Sequence, residues 1–152
     1  MSDTPDFNEL AQRYARLTPG QKAELRRIAT PEEVGERPAF YRLFPGQGAT
    51  PQRARLAFML PGVAHRVGAP ALGVQLAAAK ASEARLLQVI RAESPNDLIY
   101  LRRLLRWLDK AQDWNAFGEL LWFWGEDRKR RLLEAYFIAK TTPAKERDNE
   151  QA

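Results

Sequence analysis

The chain has 152 residues, 45% apolar and 28% charged, a mixture that fits one compact globular domain and excludes a disordered polymer or a bilayer-spanning bundle. With no cysteine it has neither a disulfide framework nor a thiolate metal site, and the acidic start from Met1 to Asp6 lacks the features of a secretory leader, so a cytoplasmic protein is expected. The formal charge is +5 and the pI near 9.8, carried by 18 arginines against 6 lysines.

Four hydroxyl-proline steps, Thr18-Pro19, Thr30-Pro31, Thr50-Pro51 and Ser94-Pro95, mark helix starts. The hydroxyl can accept from free backbone N–H groups, and proline at the first helical position forfeits no hydrogen bond. Gln21 and Glu33 complete capping boxes, and Asp97 places a negative charge where the helix dipole favours it. Caps and apolar periodicity together predict helices near 6–17, 19–29, 31–36, 38–44, 51–66, 82–92, 95–110, 113–124 and 126–140. The fifth should kink or end early at Pro61-Gly62. Gly68 to Ala81, rich in glycine and alanine, reads as a connector with room for one short helix, dividing the chain into sub-bundles at 6–66 and 82–140. Residues 141–152 read as a frayed polar tail. No segment alternates like a strand, so the expected fold class is all-α, a single compact bundle of eight to nine helices.

The segment 95–110 carries the most information. At about 100° per residue, Leu98, Leu101, Leu104, Leu105 and Leu108 fall in an arc of roughly 120°. Arg102, Arg103, Arg106 and Lys110 fall in another of roughly 100°, centred well away from the leucines. Acidic neighbours at helix-pairing distance are few, with Asp109 near Arg106 and Asp97 at the start, so the basic stripe is expected to face an anion. Arginine presents a planar fork of donors suited to phosphate oxygens, although a GC-rich genome also raises arginine use. A second basic run, Arg128, Lys129, Arg130 and Arg131, ranks below the stripe because consecutive residues spread around a helix. Arg26, Arg27 and Arg91 stand near helix ends, where they could serve the dipole or reach a phosphate.

Aromatic residues crowd the same region: Trp107, Trp114, Phe117, Trp122, Phe123, Trp124, Tyr136 and Phe137. They could stack bases, but the helical spacing of Phe117, Leu120, Leu121 and Trp124 favours a core or a subunit interface. Catalytic constellations are missing. His65 is the only histidine, Ser82 and Ser94 read as caps, and Gly46-Gln47-Gly48 lacks the setting of a nucleotide loop. The adjacent acids Glu32-Glu33 and Glu126-Asp127 are accounted for by helix starts. No catalytic residue, metal or cofactor is expected.

Five strings in order, Ala23 to Ile28, Pro38 to Leu43, Arg85 to Arg91, Leu101 to Leu105 and Trp122 to Gly125, resemble the CasB-type small subunit of the type I-E CRISPR Cascade complex. The likeness covers about 17–44 and 83–139, while Gly46 to Ala81 departs from it. The resemblance implies an all-helical, non-catalytic subunit present in two copies beside the guide-carrying backbone subunits and the large subunit. Its implied ligands are guide RNA, target DNA and the displaced single strand, with no membrane partner. Within the matched strings, Arg27, Arg91, Arg102 and Arg103 are the implied phosphate contacts. Arg106, Lys110, Arg128, Lys129, Arg130 and Arg131 are candidates on charge placement alone. The rival expectations are a helix-turn-helix DNA reader, a small metal-dependent nuclease using Glu32, Glu33 or Glu126, and a basic protein adaptor.

Overall fold

The computed structural model describes residues 3–143. Among them lie nine α-helices: α1 (Phe7–Ala15), α2 (Pro19–Arg26), α3 (Pro38–Leu43), α4 (Pro51–Met59), α5 (Leu72–Ala78), α6 (Glu83–Arg91), α7 (Asn96–Leu108), α8 (Trp114–Trp122) and α9 (Glu126–Thr141). Two 3₁₀ turns, Pro31–Glu36 and Leu60–Gly62, complete the elements, and the described residues form no strand. Of the frayed tail expected at 141–152, Thr141 belongs to α9, and residues 144–152 lie outside the described residues.

Most starts follow the caps. Thr18 accepts from the backbone N–H of Gln21 at 3.1 Å while the Gln21 side chain accepts from Thr18 at 2.9 Å. Thr50 accepts from Arg53, and Ser82 from Arg85 at 3.1 Å. Ser94 departs from the pattern. The Ser94-Pro95 peptide is cis, α7 begins one residue later at Asn96, and no side chain caps it. The expected helix at 31–36 is a 3₁₀ turn, its Glu33 carboxylate accepting from Ala29 and Thr30 N–H groups at 2.7 Å. The fifth helix does end early, at Met59, and Pro61-Gly62 closes it as a 3₁₀ turn. Beyond it the chain runs extended beside the α7–α8 link, Arg66 donating to Gln112 and Gln112 to Ala64, both at 2.9 Å.

The glycine- and alanine-rich segment holds α5, and α5 is part of the core: Leu72 and Leu76 are buried and the helix packs along α9. Gly73 makes that approach possible, since a Cβ there would stand 2.8 Å from the Ala135 Cβ and the Tyr136 N. The two expected sub-bundles interleave. Helices α1 and α4 both pack on α8, with Gly118 of α8 so close to Phe7 that a Cβ would come within 2.4 Å of the ring. One continuous core results, running from Phe7 and Leu10 through Phe40, Phe58 and Leu101 to Trp114 and Tyr136. The polar atoms of its two largest side chains are satisfied: the Trp114 indole donates to the Val63 carbonyl at 2.9 Å, and the Tyr136 hydroxyl to that of Ala81.

Candidate nucleic-acid interface

The five leucines of α7 are buried as the wheel requires. Each contributes about 1.5–3 kcal/mol relative to exposure. The buried arc is wider than the leucines alone suggest, about 160° once Asp97 and Arg102 are included. Arg102 is therefore a correction to the stripe. It stands at the border of the leucine arc and is only 5% exposed, so it is not an outward cation. Its guanidinium donates to the Ile28 carbonyl and, at 2.9 Å, to the Arg26 carbonyl, closing the carboxyl end of α2. It also lies 4.2 Å from the Phe58 ring. Burial pushes its pKa down to about 10, with the nearby Arg106 adding to the effect and Glu33 and Tyr14 opposing it. Arg55, which sequence reasoning passed over, does the same for α8, donating to Leu121 and Trp122 carbonyls at 2.6 and 2.8 Å.

Arg103 and Arg106 are exposed on α7, and neither forms an ion pair with any described carboxylate. Arg103 lies over the Tyr100 ring at 5.9 Å. Arg106 runs past Gly62, 3.7 Å from where a Cβ would sit. Lys110 is exposed too but lies outside the helix, because Asp109 adopts a left-handed conformation (φ 51°) and ends α7. It lines a groove of about 640 Å³ between α1, the Leu60–Gly62 turn and the α7–α8 link, to which Lys22 of α2 also contributes. On α6, which packs on α7, Arg85 reaches the Trp107 ring at 5.7 Å. Arg85 was legible as a basic residue, but only the packing of α6 on α7 assigns it to this face. Arg27 at the end of α2 and Arg91 at the end of α6 are exposed and unpaired among the described residues.

The basic run of α9 behaves otherwise. Arg128 donates to Asp127 at 2.9 Å and to Glu119 at 3.1 Å. Lys129 is a second correction: its side chain is 12% exposed and pairs with buried Asp97 at 2.9 Å while donating to the Ala92 carbonyl. The Trp124 indole donates to that same Asp97 oxygen at 2.9 Å, and the other carboxylate oxygen accepts from the Leu98 N–H at 2.8 Å. Arg131 is exposed but pairs with Asp127 at 3.1 Å, which leaves Arg130 as the member of the run with no described partner. The carboxylates thus neutralise the start of α9 from neighbouring turns and from α7 and α8.

Among the aromatics, Trp114, Phe117, Trp122 and Tyr136 are buried, Trp124 and Phe137 pack partly against the core, and Trp107 and Phe123 are exposed. His65 accepts from the Trp114 N–H through Nδ1 at 3.0 Å and thereby holds the first turn of α8. Among the described residues no three His, Asp or Glu side chains converge as a metal site, and no helix is long and apolar enough to cross a membrane. What the surface offers is hydrogen-bond donors on cations without neutralising acids among the described residues, a chemistry suited to anionic oxygens.

Residues 21–137 match the family described as CRISPR-associated protein Cse2. The chain is 31% identical over 154 aligned positions to the CRISPR system Cascade subunit CasB of Escherichia coli, covering 91% of this chain and 96% of that protein. It also superimposes on a chain of the crystal structure of E. coli Cascade bound to a PAM-containing double-stranded DNA target. The TM-score is 0.84 at 30% identity, with 91% of this chain and 98% of that one covered. Sequence and fold agree over nearly the whole length, and the chain belongs to the CRISPR-associated Cse2 family.

Proposed function

We propose that this chain is the small subunit of a Cascade-type CRISPR ribonucleoprotein and acts there by gripping nucleic-acid backbones. The family is not known as one of enzymes, and its Escherichia coli relative is a Cascade subunit. The observation that carries the reading is the exposed side of α7, where Arg103 and Arg106 stand without acidic partners and Lys110 continues the cationic surface past the helix end. Arg27 and Arg91 extend it on neighbouring helices, and Arg130 and Arg131 offer a weaker patch on α9. In this role the cations steady guide RNA paired with target DNA and give the displaced strand a path. A second copy, the backbone subunits and the large subunit bind through other surfaces in the cytoplasm.

The test is the salt dependence of target binding by the reconstituted complex. Each phosphate contact contributes about 0.7–0.9 to the slope of log affinity against log salt. Arg103→Glu with Arg106→Glu should therefore weaken binding and flatten the slope by about 1.5 if each makes one contact. A fully assembled complex with an unchanged slope would remove α7 from the interface.

A further inference from the structure

Trp107 is the exposed tryptophan of α7, with 45% of its surface accessible, whereas Trp114 and Trp122 are buried and Trp124 is tied to Asp97. It sits within about 40° of Arg103 on the helical wheel, with Arg106 about 100° away, and Lys110 follows just past the helix end. The Arg85 guanidinium of α6 lies 5.7 Å from its ring centroid, and about two turns earlier the Tyr100 ring carries Arg103 at 5.9 Å. The indole is therefore flanked by cations, and Arg85, Arg103, Arg106 and Lys110 have no ion-pair partner among the described carboxylates.

We propose that Trp107 is a base-stacking residue, on which a single strand lying along α7 rests one unpaired base while Arg85, Arg103 and Arg106 hold the neighbouring phosphates. The inference rests on the reading of α7 as a backbone interface and adds to it the strandedness of the ligand. Charge complementarity selects the occupant. A protein surface covering the indole would have to bring a carboxylate to each of several unpaired cations or leave them desolvated, whereas a polyanion neutralises them along its whole length. A single strand supplies a π-face and phosphates at once. A duplex supplies the phosphates but keeps its bases stacked inside, and exposing one costs a few kcal/mol.

The full chain is titrated with three fluorescein-labelled probes: an oligothymidylate of about twenty nucleotides, an abasic oligomer of equal length and charge, and a duplex of that length. Trp107→Ala should weaken oligothymidylate binding about five- to hundred-fold. It should leave abasic and duplex binding and the salt slope unchanged, and Trp107→Phe should retain most of the affinity. An oligothymidylate carrying 5-iodouracil should photocrosslink to Trp107 in the unaltered chain. Arg103→Glu should weaken all three probes and flatten the slope.

If Trp107→Ala binds the oligothymidylate as tightly as the unaltered chain while Arg103→Glu still flattens the slope, stacking is overturned and the backbone interface stands. If neither variant changes binding, or the unaltered chain does not bind the oligothymidylate at low salt, both readings fall. Loss of complex assembly in Trp107→Ala with normal oligothymidylate binding would assign the indole to a protein partner and overturn the proposal.

Discussion

Arg102, Arg103, Arg106 and Lys110 around α7, and Arg128, Lys129, Arg130 and Arg131 in α9, are two groups of four cations that look equivalent as strings of letters. In α9, Arg128 is drawn to Glu119 of α8, Lys129 to Asp97 of α7, and Arg131 to its own Asp127. In α7 the one cation that is engaged is held by carbonyl groups, and its neighbours remain free. The difference teaches that local basic density says little about surface potential. What decides it is which carboxylates the other helices bring near, and that is a tertiary property.

The comparison breaks most visibly at Arg102. Arg102→Ala removes two charged hydrogen bonds to the end of α2 and the contact with Phe58. It should cost about 3–4 kcal/mol, lowering Tm by about 10 °C, whereas Arg103→Ala should stay within about 0.5 kcal/mol. Thermal unfolding followed by circular dichroism measures both. Equal, small shifts would mean that Arg102 is an exposed cation like its neighbour.

Within α9 the same logic separates Lys129 from Arg130. Lys129→Met leaves the Asp97 carboxylate, 5% exposed, with the Trp124 indole and the Leu98 N–H but without its cation. Removing one partner of a buried pair should here cost about 2–3 kcal/mol, the low side of the usual range because those two donors remain. Arg130→Glu has no described partner to lose and should change stability by less than about 0.5 kcal/mol. Urea midpoints of the two variants decide it, and a larger loss for Arg130→Glu would invert the assignment.

Helix positions were largely legible because their causes are local: Thr18, Thr50 and Ser82 cap the helices that follow them, and Pro61-Gly62 stops α4. The misplacements share a reason. At Ser94 the helix starts one residue later than the Ser-Pro pair announces, with Pro95 in the flanking position and no side chain capping it. At Arg102 the helical wheel gave the direction, about 200° from Tyr100, but the border between core and solvent depends on how closely α2 approaches. Trp107 was one of eight aromatics among the candidates; burial leaves Trp107 and Phe123 exposed, and the arginine over Phe123 is neutralised by Asp127 and Glu119 while those beside Trp107 have no described carboxylate partner. Family membership was legible from ordered strings, whereas the residues on the exposed face required the packing of α6 on α7.

The smallest expected effect concerns the carboxylates that hold turns rather than cations. Backbone N–H groups of Thr30 and Ala29 hold the Glu33 carboxyl below the usual carboxylate value, and those of Gly68 and Asn115 do the same for Asp113. A depressed carboxyl favours the folded state at any pH above its unfolded value and loses that contribution as pH falls through its folded value. Stability should therefore decline progressively below about pH 4.5. Glu33→Gln keeps the shape but accepts these bonds without a charge, so it should be slightly less stable at pH 7 and should lose less between pH 4.5 and pH 3. Because Glu33 is solvent-accessible, the effect is small beside Arg102 or Lys129, and urea midpoints at the two ends of the window would reveal it. Parallel declines in the variant and the unaltered chain would show that the Glu33 charge does not hold the turn, and would leave Asp113 as the carboxylate to test next.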